Sequence, residues 1–308
     1  MIGVLMMAYG GPNELKDVEP YLLDVRGYRP TSIEIIAEVR ERYREIGGRS
    51  PILEQTRAQA DALEAALNAE GPALFKVFVG MRHWHPFIKD TLAEMTAEGI
   101  TSVVGLVMAP HFSQMSIAAY YKRVEEAGLP IKLARIEDWH LLPGYIDALT
   151  SRVRAALEKF PEDVRDETPI IFTAHSLPER ILANGDPYPI QLRETMNAIM
   201  ERLGPHPHQF AYQSAAISSE PWLGPDAGSV LERLAAEGKK HALIAPIGFV
   251  CEHVEVLYDV DIVFKHQAEK LGMQLERIEM LGTAPRMIFG LANLIREQVK
   301  AASDLAIW

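Results

Sequence analysis

Eight short apolar runs alternate with segments of helical periodicity along nearly the whole chain. The runs cover residues 2–8, 74–79, 102–109, 131–136, 169–174, 209–213, 241–247 and 275–280. The helical segments include 54–69, 86–97, 144–159, 189–203, 227–237 and 285–301. Two strands separated by a helix of that length do not meet through a tight turn; the chain crosses over and they pair in parallel. Continuous rather than alternating hydrophobicity means that both faces of each strand are covered. The expected class is α/β, with parallel sheets flanked by helices.

The stretch 159–169 is polar and carries Pro161 and Pro169, which marks a domain boundary. It divides the eight strands four and four. The expected domains are 1–160 and 168–308, with the final helix packing back on the first. The halves resemble weak repeats. Each first strand ends in alanine and a polar residue, Ala8-Tyr9 and Ala174-His175; each third strand ends in Ala-Pro, at Ala109-Pro110 and Ala245-Pro246. Ligands in open α/β sheets sit beyond the carboxyl ends of the strands. Two halves facing each other across a pseudo-twofold make Tyr9 and His175 counterparts over one cleft. The first half is longer by an inserted helical lobe, about 17–49, beside the mouth of the first strand, where it forms a wall or lid.

Lys+Arg is 31 and Asp+Glu is 42, a formal charge of −11. Such a surface repels phosphate backbones and anionic headgroups, so a nucleic-acid partner is not expected. The only cysteine, Cys251, excludes an internal disulfide and a four-cysteine iron–sulfur cluster. No apolar run reaches the roughly 18 residues of a transmembrane helix, and residues 1–8 read as a strand, not a signal peptide. A soluble, cytoplasmic protein is expected.

No Walker loop, Rossmann glycine fingerprint or Gly-x-Ser-x-Gly elbow is present. Gly10-Gly11-Pro12 is a tight turn whose proline lacks a donor for phosphate. The densest polar cluster, 248–261, follows a buried strand and opens a helix. There Glu252, Glu255 and Asp259 stand at i, i+3 and i+7, which places their carboxylates on one helix face. Such a face is either solvated or suited to proton transfer or a hard divalent cation. His175 is either a satisfied polar residue or a proton acceptor near neutral pH. His83-Trp84-His85 and His206-Pro207-His208 are weak metal candidates, since they lack acidic or cysteine companions at ligand spacing.

Ala174-His175-Ser176-Leu177-Pro178, Gly185-Asp186-Pro187-Tyr188-Pro189, Gln213-Ser214 with Pro221-Trp222-Leu223-Gly224-Pro225, and Pro246-Ile247-Gly248-Phe249-Val250 with His253-Val254-Glu255-Val256-Leu257-Tyr258-Asp259 resemble successive signatures of ferrochelatases. Gly47-Gly48-Arg49-Ser50-Pro51 and Ala109-Pro110-His111-Phe112-Ser113 agree. The resemblance spans essentially the whole chain. It implies two Rossmann-like domains, each a four-stranded parallel sheet flanked by helices (the class II chelatase fold), with porphyrin in the cleft between them.

The implied activity is that of a lyase inserting Fe²⁺ into a porphyrin in haem biosynthesis. Met7-Ala8-Tyr9-Gly10 resembles the bacterial branch that acts on coproporphyrin III. Iron is then a substrate, and neither a tightly bound cofactor nor an iron–sulfur cluster is implied. His175, Glu255 and Tyr9 are the implied catalytic residues; His175, Glu255 and Asp259 handle the metal. Arg26, Arg42, Tyr43, Ser50 and Tyr120 hold the propionates. A monomer is implied, with a downstream coproheme decarboxylase as recipient of the product. The chain departs from the family pattern at Val263, where an acidic stripe usually continues, and in 215–220, which lacks the usual Gly and Thr. Alternatives are a protoporphyrin IX ferrochelatase, a cobalt or nickel chelatase, and a non-catalytic porphyrin or haem carrier on the same scaffold.

Overall fold

The computed structural model describes residues 1–70, 73–215 and 220–304. Among them the strands are β1 (Ile2–Ala8), β2 (Phe75–Met81), β3 (Ser102–Val107), β4 (Lys132–Ile136), β5 (Ile170–His175), β6 (His208–Gln213), β7 (His241–Pro246) and β8 (Gln274–Arg277). The first half carries helices α1 (Val18–Val25), α2 (Ile33–Glu45), α3 (Ile52–Leu67), α4 (Ile88–Ala97), α5 (Ile117–Glu126) and α6 (Pro143–Leu157). After α7 (Glu162–Arg165) come α8 (Arg180–Ala183), α9 (Tyr188–Leu203), α10 (Ala227–Ala236), α11 (Val254–Leu257), α12 (Lys265–Lys270) and α13 (Pro285–Asp304). A π-helical turn, Asp259–Phe264, separates α11 from α12.

The strands form two parallel sheets, ordered β2-β1-β3-β4 and β6-β5-β7-β8. Each half thus has the same order, with its first strand between its second and third. The continuous apolar runs are explained by burial on both faces; Ile170, Ile171, Phe172 and Ala174 of β5 are fully buried. Sequence periodicity leaves the β3–β4 crossover unassigned. The structure fills it with α5, whose buried Ile117, Tyr120, Tyr121 and Val124 lie at i, i+3, i+4 and i+7.

One cluster of buried side chains runs from Val4 and Met6 of β1 through Ile146 and Leu149 of α6 to Phe172 of β5 and Leu291 of α13. Helix α13 packs on α3 and α6 of the first half. Gly144 and Gly290 let α6 and α13 cross closely. A Cβ at Gly144 would overlap the Arg286 carbonyl oxygen, and one at Gly290 would lie 3.6 Å from the Gly144 Cα. Gly144→Ala is therefore expected to lower stability by about 1–3 kcal/mol. Urea unfolding measures it, and an unchanged midpoint would contradict this crossing. The halves are also joined by polar bonds: Ser113 Oγ donates to Asp186 at 2.9 Å, and Gln59 Nε2 donates to the Gly282 carbonyl at 2.9 Å. No helix among the described residues is long and apolar enough to cross a membrane.

Candidate active site

Strand β5 delivers His175 to its mouth in register with Gln213 of β6. The segment leaving β7 passes close over this mouth because Gly248 has no side chain; a Cβ there would sit 2.6 Å from the Ala174 Cβ. That path starts α11 at Val254 and puts Glu255 in its first turn. The result is a contact between His175 Nδ1 and Glu255 Oε2 at 2.9 Å. A carboxylate only accepts, so Nδ1 carries the hydrogen and Nε2 is left to take a proton. Both partners are held from behind. The Tyr188 hydroxyl donates to the His175 carbonyl at 2.9 Å. Gln213 accepts from Thr173 Oγ1 at 2.7 Å and donates to the Glu255 carbonyl at 2.8 Å. The Trp222 ring stands edge-on to the imidazole, 6.3 Å between centroids.

Desolvation pulls the His175 imidazole down, but the charge and hydrogen bond of Glu255, with help from Asp259, leave its pKa raised. Glu255 moves the opposite way: desolvation raises it, and His175, His253 and Ser214 bring it below its ordinary value. Opposite shifts on the two partners are what an ion pair produces. Asp259 is pushed up to about 6, first by desolvation and then by the Glu255 charge, against the lowering hydrogen bond from Ser214. Ser214 Oγ is the group between the carboxylates, bonded to Asp259 and acting on Glu255. His175, Glu255, Ser214 and Asp259 thus form one connected row. Among the described residues, no three His, Cys, Asp or Glu side chains converge as a metal cage.

The shared helix face expected for Glu252, Glu255 and Asp259 forms for Glu255 and Asp259, which Ser214 connects, but not for Glu252. Helix α11 begins after Glu252, and the π-helical turn follows from Asp259 onward. Glu252 instead faces Arg277 of β8 at 3.2 Å, alongside Asp261 at 2.7 Å. Arg277 holds that pair away from His175. Val263 is exposed on the turn. Residues 216–219 of the segment 215–220 lie outside the described residues.

The facing wall comes from the first half. Tyr9 follows β1, its ring 4.6 Å from that of His83 and 6.0 Å from the Arg82 guanidinium carbon. Loss of solvent raises its pKa to about 12, Glu255 and Asp24 adding to the rise and Arg82 opposing it. Tyr21, Tyr43 and Tyr120 are raised too, by burial first, and each also feels the charge of Glu255. Three buried tyrosines and the partly exposed Tyr9 of one half thus lie within reach of the charge of one carboxylate of the other. Arg42 bonds Glu38 at 2.5 Å and lies over the Tyr258 ring at 5.5 Å, so it spans the two halves. Tyr43 packs edge-on to Tyr21 at 6.4 Å. Ser50 is buried against Gly11, where a Cβ would sit 2.6 Å from Ser50 Oγ. Tyr120 is buried under Arg82. Arg26 stands apart: it caps α1, its side chain is exposed, and its carbonyl accepts from Arg29.

The family model described as ferrochelatase matches residues 1–299. The chain belongs to the ferrochelatase family. It is accordingly a metal chelatase, a lyase acting on iron and a porphyrin. Relatives named ferrochelatase in Herpetosiphon aurantiacus and Deinococcus radiodurans are each 44% identical, covering 96% of this chain and 98% and 96% of theirs. The coproporphyrin III ferrochelatase of Oceanobacillus iheyensis is 39% identical over 97% of each chain. Among solved structures, SirB from Bacillus subtilis with Fe³⁺ superposes with a TM-score of 0.59 at 11% identity, covering 98% of this chain and 97% of SirB. CbiX, with a TM-score of 0.55 at 15% identity, covers 97% of this chain and 99% of its own. These likenesses show a shared fold.

Several residues at the ferrochelatase-family cleft carry no role in the sequence reading. Ser214 lies inside a quoted motif, but only folding brings it between Glu255 and Asp259. Arg82 precedes the His83-Trp84-His85 run, which reads as a weak metal candidate; His83 Nδ1 instead donates to buried Asp24 at 2.7 Å. In the other histidine run, His206 Nε2 contacts the Thr168 carbonyl at 2.7 Å and His208 Nδ1 contacts that of His206 at 2.8 Å.

Proposed function

We propose that the chain inserts Fe²⁺ into coproporphyrin III and releases two protons, giving coproheme in haem biosynthesis. The observation that carries this reading is the His175–Glu255 pair on one wall of the cleft, opposite the Tyr9 wall. Metallation replaces two pyrrole N–H protons by one Fe²⁺, so an acceptor must meet the macrocycle. His175 Nε2 takes a proton, and Glu255 stabilises the resulting imidazolium. Asp259, reached through Ser214 and poised near pH 6, receives the proton next. Iron as substrate meets the same row of His175, Glu255 and Asp259 in passage. Tyr9 stays a neutral phenol at pH 7 with its pKa at about 12. It serves as an oxygen donor or guide for iron on the opposite face.

Arg42, Tyr43, Ser50 and Tyr120 hold the propionates from the cleft wall, and Arg26 meets one from the exposed end of α1. Ser50→Ala is expected to weaken porphyrin binding about threefold to tenfold, the size of one hydrogen bond of ordinary net strength. Turnover at saturation should stay near normal, and an unchanged dissociation constant would remove that role. We further propose a cytoplasmic monomer without a resident cofactor or iron–sulfur cluster, passing its product to a decarboxylase.

Support for coproporphyrin comes from Tyr9 after the first strand and from relatives named for that substrate at 37–39% identity. Relatives at 44% carry the general family name, which keeps protoporphyrin IX as the second reading. Anaerobic metallation of both porphyrins with Fe²⁺, followed by absorbance, separates them. Rapid metallation of coproporphyrin III alone supports the proposal. A preference for protoporphyrin IX overturns the substrate. Tight binding of either without metallation favours a carrier.

A further inference from the structure

Beside the cleft lies a second cavity of about 290 Å³, lined among others by Asp24, Tyr28, Arg82, Lys89, Arg123 and Glu126. It forms because the β1–β2 pairing continues past the strands: the Arg82 N–H donates to the Ala8 carbonyl and that of His83 to the Tyr9 carbonyl, both at 2.9 Å. Arg82 is thereby set next to Tyr9, and its guanidinium lies 5.3 Å from the centre of the Tyr120 ring. It is a wall shared by the cleft and the cavity.

The charges in this cavity are unevenly satisfied. Asp24 is buried and already surrounded: His83 at 2.7 Å, the Tyr28 hydroxyl at 3.2 Å and Arg123 at 3.7 Å. Glu126 stands 3.8 Å from Arg123. Arg82 has only a long bond to the Met115 carbonyl, at 3.4 Å, besides its two rings; Lys89 lies 6.0 Å over the Phe87 ring. Among the described residues no ion pair holds either cation. Helix α4 also opens here, with Ile88 and Lys89 on the cavity wall, and its N-cap Phe87 offers no side-chain acceptor. The positive end of the helix lies beside the two unpaired cations, and Asp90 in its first turn offsets part of that field. In a chain of net charge −11, such a concentration favours an anion. At the rim, Tyr28 adopts a left-handed backbone, φ 62°, unusual for a residue with a side chain, and its hydroxyl is tied to Asp24.

Together with Arg42, this makes two cationic stations on one wall. The ring row Tyr43–Tyr21–Trp84, each step 6.4 Å, runs from the chain neighbour of Arg42 to the segment that follows Arg82. A macrocycle with carboxylates along one edge needs one station; a macrocycle with carboxylates on all four pyrroles uses both. The geometry points to the Arg82–Lys89–Arg123 cavity as the subsite for a peripheral carboxylate that coproporphyrin III has and protoporphyrin IX lacks. This rests on the proposed substrate, and it makes Arg82 and Lys89 specificity-determining residues.

The test is fluorescence titration of coproporphyrin III and of protoporphyrin IX into the wild type, Arg82→Gln and Lys89→Gln. Lys89 is exposed, so its variant does not threaten folding. Each variant is expected to lose about threefold to tenfold in coproporphyrin III affinity, as for one hydrogen bond of ordinary net strength, with protoporphyrin IX affinity retained. Equal losses for both porphyrins, or none for either, overturn the subsite. A wild type that does not prefer coproporphyrin III instead overturns the substrate reading, a result visible before any variant is compared. Inorganic phosphate, at constant ionic strength, separates a propionate from a free anion. Competition with coproporphyrin III that Lys89→Gln abolishes supports the subsite. Phosphate binding that requires Lys89 yet leaves coproporphyrin III affinity untouched overturns it.

Discussion

His175→Ala is expected to lower the rate of iron insertion about 10²–10⁴-fold, the range for loss of a positioned proton acceptor. Porphyrin binding should change little, because the side chain presents one nitrogen to the macrocycle and its backbone is held independently by Tyr188. Single-turnover absorbance under anaerobic conditions separates the two quantities. The variant also leaves the part-buried Glu255 carboxylate without its hydrogen-bond partner, so a rise in the pKa of Glu255 accompanies the loss. Near-normal turnover with normal porphyrin binding would falsify the assignment.

Glu255→Gln carries the second large effect. Glutamine keeps the volume and an acceptor for His175 Nδ1–H, so the contact at 2.9 Å survives without its charge. The imidazole accepts a proton only when neutral. Glu255 raises its pKa, and removal of that charge lets the pKa fall. The acidic limb of the rate–pH profile should therefore move to lower pH in the variant. The plateau should drop about 10²-fold, since the imidazolium formed during the reaction has lost its stabilising partner. An acidic limb that moves to higher pH, or a plateau equal to wild type, would show that the carboxylate does not act through His175.

Tyr9 and His175 could be placed at facing strand mouths before any coordinates, because each follows the first strand of a half whose sheet order repeats. The partner of His175 was harder to isolate. Three carboxylates at helical spacing look equivalent in sequence, but the chain enters the helix only after Glu252, and Arg277 draws that residue to the outside of the sheet. The same holds for the cations of the first half. Arg42 is one of three alternating arginines, with Arg40 and Arg44, and Arg82 stands alone in the sequence; only folding sets one over Tyr258 and the other between Tyr9, Tyr120 and the cavity that Lys89 lines.

Sequence by itself determined the α/β class, the division of strands four and four, and the family, since each is written in local periodicity or in contiguous motifs. The tertiary structure alone decided which side chains act together. The His83–Asp24 and His175–Glu255 pairs join residues 59 and 80 positions apart, and the start of α11 only after Glu252 separates that carboxylate from the inward-facing Glu255 and Asp259. Pairings of that kind depend on strand register and on how helices close over the sheets, and hydrophobic periodicity carries no record of either.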